Sequence, residues 1–352
     1  MMRLASPVLL VTTIIIPSVA WAMEQPSGKS DSPREVTLVV WPARIDAAGT
    51  SLTLLPKAAD LSAGDGAAFY NKAVQALPPD LQRGQVTYWA REPIRNLPLD
   101  QAEAQAVLQQ TQASLDLVER GARCKDCNWP AFVPGTMPAN LSQYRQLQDL
   151  LCLKARIELL QSQFDKAART IGTGLAMSKH VGEGPTVMQG MTGVAMATLL
   201  LRPVEDWTQI QGSPNLYPAL HALPRPLVDV NVGIAAELKS LESNKQYNSL
   251  VKMMFRRQLE SSFAAVRRLM ERLDSAVAAL ECVEGLRHFA AGHDGRLPAQ
   301  LSDIADIQLP NDPATGKPFA YRVEGTKAVL EAAAPKGGGP RDVLRYTITV
   351  AR

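Results

Sequence analysis

The chain has 352 residues, 46% of them hydrophobic, which is enough for a sizeable core in one large domain or two and too much for a disordered protein. Its formal net charge is only +3, with acids and bases interspersed, so the overall charge implies neither nucleic acid nor an anionic membrane surface as a partner. Aromatic residues make up 5% while Ala, Leu and Gln are abundant, the bias of packed helices and not of sandwiches or barrels, so the expected class is mainly α.

Met1-Met2-Arg3 supplies a short positive region, residues 4–19 are apolar, and Ala20-Trp21-Ala22 carries small residues where a signal peptidase reads them. Residues 1–22 are therefore expected to be a signal peptide cleaved after Ala22, which places the protein in the periplasm or outside the cell. Pro7, Thr12, Thr13 and Pro17 interrupt the apolar run, which falls short of the ~20 residues that span a bilayer, so no stable membrane span is expected after cleavage. No Cys follows the cleavage point as a lipoprotein requires.

Residues 23–34 are polar and rich in breakers and read as a flexible linker. Over residues 35–60, Val36-Thr37-Leu38-Val39-Val40-Trp41 and Ser51-Leu52-Thr53-Leu54-Leu55 predict a small N-terminal β-hairpin. A helical domain is expected over residues 61–280. Its first helix, at residues 67–74, stops at Pro78-Pro79, and a long one runs over residues 99–120 from Pro98-Leu99-Asp100. After the loop Cys124-Lys125-Asp126-Cys127, helix resumes over residues 141–161 with Leu147, Leu150, Leu151 and Leu153 on one stripe. Residues 186–201 are apolar nearly all round but short for a span and contain Gln189, which predicts a helix at the centre of the bundle. Residues 203–226 read as loop, and residues 227–242 and 247–288 as long charged helices. On the second, Lys252, Arg256 and Arg267 share a face, joined by Arg257, Arg268 and Arg272 and diluted by Glu260, Glu271 and Asp274; the default reading is a solvated face.

Residues 281–352 are expected to be a small α+β module of antiparallel strands. Phe319-Ala320-Tyr321-Arg322-Val323, Ala328-Val329-Leu330-Glu331-Ala332 and Leu344-Arg345-Tyr346-Thr347-Ile348-Thr349-Val350 are the strands, with a tight turn at Glu324-Gly325.

Leu151, Ala155, Phe164, Ala167, Ile171 and Gly174 fall at the spacing that packs a helix-turn-helix unit, and this stretch of about thirty residues resembles a tetratricopeptide repeat. The fold is thus a helical bundle or a short tetratricopeptide-like array. Residues 286–321 hold a helix, a Leu-Pro turn, Asp312-Pro313, Gly316-Lys317-Pro318 and a Tyr-containing strand. This segment is similar to the C-terminal segment of exported bacterial proteins numerous in planctomycetes and to the post-helix part of pseudopilins. The resemblance implies an exported setting and no particular activity. Pseudopilin loops of this kind can bind calcium, but Asn311 and Asp312 are two donors where calcium takes about 6–8.

Candidate chemistry is sparse. Cys124 and Cys127 are the candidate disulfide in an oxidising compartment, with Cys152 and Cys282 as alternative partners. Asn128 follows the second cysteine where a covalent haem needs His, and no second ligand pair stands at zinc-finger spacing. His180, His221, His288 and His293 are scattered, with Asp294 and Glu284 as conceivable partners of the last two; Ser240 and Ser249 sit in ordinary helical surroundings, and Lys336-Gly337-Gly338-Gly339-Pro340 lacks Walker spacing. No catalytic residue, metal or cofactor is assigned, and an enzyme is the less favoured class. The leading expectation is an exported binding or scaffold protein of the cell envelope with an envelope protein or peptide as partner. The alternatives are an exported hydrolase with an unrecognised site and a pseudopilin-like secretion component.

Overall fold

The computed structural model describes residues 32–92, 94, 101–133 and 136–351. The signal peptide, its cleavage point and the helix start at Pro98-Leu99-Asp100 lie outside the described residues. The class is mainly α, with eleven helices and six strands among the described residues.

The chain enters through strand β1 (Arg34–Val40), a helical turn α1 (Ala47–Ser51), strand β2 (Ser62–Asp65), and helices α2 (Gly66–Gln75) and α3 (Arg83–Arg91). Helices α4 (Gln101–Gln110) and α5 (Gln112–Ala122) and strand β3 (Cys124–Asp126) follow. A small N-terminal strand pair is present, but it is β2 with β3, in parallel. The run at residues 36–41 does extend as β1, whereas residues 51–55 form no strand. Asp46 caps α1 by accepting from the Gly49 amide at 2.9 Å, and Leu52 and Leu54 bury in the helical core instead of pairing. The expected helix at residues 99–120 is broken at buried Thr111. Its hydroxyl donates to the Val107 carbonyl at 2.8 Å, a bond back along the helix that competes with the regular ladder.

Helices α6 (Leu141–Leu160), α7 (Phe164–Gly182) and α8 (Val187–Trp207) form the centre. Leu151, Ala155, Ala167, Ile171 and Gly174 are buried, as the repeat-like spacing requires. The α7 and α8 backbones touch where Gly182 meets Gly193: a Cβ on Gly193 lies 2.4 Å from the Gly182 Cα and 2.5 Å from the Ser178 carbonyl oxygen. Gln148 on α6 binds the crossing, its amide within 3.1 Å of Ser178 Oγ and 3.0 Å of the Met196 carbonyl.

Helix α8 is central, as residues 186–201 predict, and no described helix is long and apolar enough to cross a membrane. It does not stop at residue 201. It runs through Pro203 to Trp207, and the Leu199 carbonyl, left without a helical donor by the proline, faces the Cys152 thiol at 4.0 Å. The loop expected over residues 203–226 therefore begins only after Trp207.

Beyond α9 (Tyr217–His221) come α10 (Asn231–Ser243) and the 44-residue α11 (Ser249–Gly292), then β4 (Ala320–Glu324), β5 (Lys327–Ala332) and β6 (Leu344–Val350). The sheet order is β1-β6-β5-β4. Strands β4 and β5 make the expected antiparallel hairpin, with Gly325 at φ 64 supplying the turn, and β5 pairs β6 antiparallel. Strand β1 adds to β6 in parallel, Arg34 opposite Leu344 and Val40 opposite Val350. One core joins Leu38, Tyr346 and Ile348 of this sheet to Leu200 and Val204 of α8 and to Leu280 and Val283 of α11. A second gathers Tyr70, Trp89, Leu115, Leu147 and Leu150 between α2, α3, α5 and α6.

Candidate functional site

Extension of α8 past Pro203 and insertion of β1 beside β6 together border an open cavity of about 280 Å³ lined by charged and apolar side chains. Arg202, Glu205, Asp206 and Gln209 project into it from one face of α8 and its first following turn, at the i, i+3, i+4, i+7 spacing of a helical stripe. Arg156 of α6 and Arg34 of β1 complete the charged wall, with Glu35 and Glu92 also lining the space.

Each inner charge has a defined partner. Arg156 is 1% exposed; it donates to Asp206 Oδ2 at 2.7 Å through Nε and to the Trp89 carbonyl at 2.5 Å through Nη1. Glu205 Oε1 accepts from Arg34 at 3.2 Å and from the Tyr346 hydroxyl at 2.8 Å. Arg202 donates to the Arg91 carbonyl at 2.6 Å and, among the described residues, makes no ion pair. A buried charge survives only when its partners replace water, and these ladders do so.

The electrostatics follow from burial. Asp206 is pushed up to about 6, desolvation outweighing the attraction of Arg156. Burial, and then the neighbouring Arg34, lower Arg202 from the ordinary arginine value. Burial and the Glu205 charge raise Tyr346 well above the ordinary tyrosine value, so its phenol stays protonated and donates. Arg34 and Arg156 are thus matched by Glu205 and Asp206, and Arg202 is left without a carboxylate partner among the described residues. Asp206 is partly protonated near neutrality, and Glu35 and Glu92 also line the space. Such a wall suits a carboxylate, which a guanidinium fork engages through two parallel hydrogen bonds.

The residues singled out in the sequence lie elsewhere. Cys124 opens β3 and Cys127 follows it, as separate thiols, as are Cys152 and Cys282. Burial, then Asp65, push Cys127 up to about 12; Cys152, wholly enclosed, also stands at about 12 and donates to the Ala90 carbonyl at 3.2 Å. His288 and His293 do not gather with Glu284 or Asp294. His288 Nδ1 accepts from the Ile45 amide at 3.1 Å, which makes Nε2 the donor to Asp306 at 2.6 Å. His293 stacks on Phe289 at 3.7 Å, and buried Glu284 is held by Arg287 at 2.7 Å. His221 meets Glu281 at 2.7 Å. Asp312 is buried, and its oxygens accept from Ser275 Oγ, Ala314 N and Ala333 N, which pins a turn.

His180 occupies a second cluster. Its Nδ1 lies 2.7 Å from the Tyr70 hydroxyl, Trp129 Nε1 donates to its carbonyl at 2.7 Å, and Trp129 packs on Tyr70 and Tyr144 at 6.5 and 5.7 Å between centroids. Burial, then Lys179, lower the imidazole to about 4, so it is neutral and closes an aromatic corner.

The cavity residues escaped the sequence reading because a helix was expected to end before Pro203. The i, i+3, i+4, i+7 run Arg202, Glu205, Asp206, Gln209 is the signal that reveals them once the helix is continued. No protein-family model, no curated protein and no solved structure matches the chain.

Proposed function

We propose that the protein is an exported binding protein of the cell envelope, periplasmic or secreted, and that the cavity beside β1 takes a small carboxylate-bearing ligand, such as the end of a peptide. The observation that carries this reading is Arg202, a guanidinium of the cavity wall that donates to the Arg91 carbonyl and, among the described residues, makes no ion pair, whereas Arg34 and Arg156 are matched by Glu205 and Asp206. A volume of about 280 Å³ lies just below the ~300–1,000 Å³ of small-molecule sites, which favours an amino acid or a chain terminus over a whole folded domain.

The test is calorimetric titration with short peptides and their C-terminal amides. Saturable binding of the acids and about tenfold weaker binding of the amides is expected, since a hydrogen bond to a charged group contributes about 1.5–3 kcal/mol. Arg202→Gln should weaken the acids to the level of the amides. Equal binding of acid and amide, or no binding across the series, would sink the reading.

One observation favours a hydrolase instead. Glu205 and Asp206 stand side by side, and Asp206 at about 6 is in the range of a general acid. Both carboxylates are committed to guanidiniums, so the binding reading leads; turnover that is abolished by Asp206→Asn would reverse the order. Export also admits a Cys124–Cys127 bridge, which alkylation and mass measurement of the exported protein would reveal.

A further inference from the structure

The hairpin of α10 and α11 leaves the core. No residue of α11 over positions 249–262 is buried, and Phe263 is the first that is; at 1.5 Å per residue this is roughly 21 Å of projecting helix. Helix α10 lies alongside as a strut: Arg267 donates to Asn231 Oδ1 at 2.8 Å and Lys252 to the Glu242 carbonyl at 2.5 Å, while Tyr247 and Phe255 pack at 5.3 Å near the tip.

Among the described residues, nothing covers the other side of the tip. Leu250 and Met254, one turn apart, are 61% and 62% exposed, and Met253 is 45% exposed at the edge of an apolar groove between the two helices. Interleaved with them are Lys245, Lys252, Arg256 and Arg257; Glu242, in the same groove, pairs with Arg256 at 3.4 Å, and no acidic residue occurs over positions 243–259. With Glu242 counted, the tip carries +3 (4 − 1), the whole net charge of the chain, which leaves zero for everything else (3 − 3). The small overall charge therefore conceals a concentrated basic tip.

We propose that this tip docks on an anionic phospholipid surface, with Leu250, Met253 and Met254 entering the acyl boundary and the four cations meeting lipid phosphates. A narrow projecting end with flexible apolar side chains and neighbouring cations matches a fluid anionic interface better than the shaped pocket of a protein. The inference is independent of the cavity and would hold for an empty site.

Flotation of the exported protein with vesicles is the test. Vesicles of equal phosphatidylglycerol and phosphatidylcholine should carry the protein up, phosphatidylcholine alone should not, and high salt should release it. The pair Leu250→Ser and Met254→Ser should weaken binding about tenfold, and each cation removed from the tip about fivefold. All these positions are outside the core, so an unchanged melting temperature establishes that the variants are folded. In a second variant, Met254→Trp, the indole emission should shift to the blue on the anionic vesicles. No flotation, equal flotation on both vesicle types, or flotation indifferent to the tip substitutions would overturn the proposal. So would a tip-dependent dimer, seen by light scattering, that does not float.

Discussion

Arg156 and Asp206 meet at 2.7 Å, 1% and 6% exposed, and join α6 to the C-terminal end of α8 at the wall of the cavity. Breaking the pair leaves one charge buried without its partner, which costs about 3–5 kcal/mol. Arg156→Ala should therefore lower unfolding free energy by that amount in urea titration, and Arg156→Met combined with Asp206→Leu should recover most of it. A loss below about 1 kcal/mol for the single variant would mean that water reaches the site and solvates the survivor.

Ligand affinity should depend on pH through Asp206. Its folded value of about 6 means that the carboxylate becomes neutral as pH falls from 7 to 5, and the cavity gains positive character. A peptide carboxylate, with its own pKa near 3.5, remains charged over that window and should bind more tightly at the lower pH. Asp206→Asn should flatten the profile; an unchanged slope would place the titrating group elsewhere.

The His180 corner should make stability acid-sensitive. The imidazole is held at about 4 in the fold against 6.5 in the unfolded chain, so the unfolded state takes up the proton first. The neutral corner contributes fully above pH 6.5, and its contribution is lost as pH falls from about 6.5 to 4, by ~2–3 kcal/mol. Asp206 and Asp274, both raised to about 6, act in the opposite direction, because the folded state binds their protons first as pH falls. The measurement is therefore the difference between wild type and His180→Gln, which should shrink between pH 7 and 4.5. A constant difference would contradict the buried neutral imidazole.

Two glycines in helices should answer oppositely to the same substitution. Gly193→Ala drives a methyl into the Gly182 backbone, and overpacking of this kind costs about 1–3 kcal/mol. Around Gly84 in α3 there is nothing within 4 Å, so Gly84→Ala should stabilise by about 0.5–1 kcal/mol through lost chain freedom. Thermal melting of the two variants tests whether the α7–α8 crossing is as close as the geometry requires.

Legibility in the sequence followed the range of the interaction. The apolar run at residues 186–201 was readable as a buried helix because its periodicity and composition are local, and Glu324-Gly325 was readable as a turn because the required φ belongs to one residue. The same local rule misled at Pro203. Proline ends most helices, yet here packing of Val204 and Trp207 into the core holds the helix for another turn. That turn carries Glu205 and Asp206, so the error in one boundary hid the cavity.

By itself the sequence determined a mainly α protein, the hairpin of β4 and β5 and the central place of α8, all consequences of composition and spacing within one segment. Only the tertiary structure decided that β1 pairs with β6, about 310 positions away, and that Arg34, Arg156 and Glu205 share one space. The physical reason is that a strand offers the same row of hydrogen-bonding groups to any partner, and an arginine the same charge to any carboxylate. Which ones meet is settled by packing the whole chain around a common core.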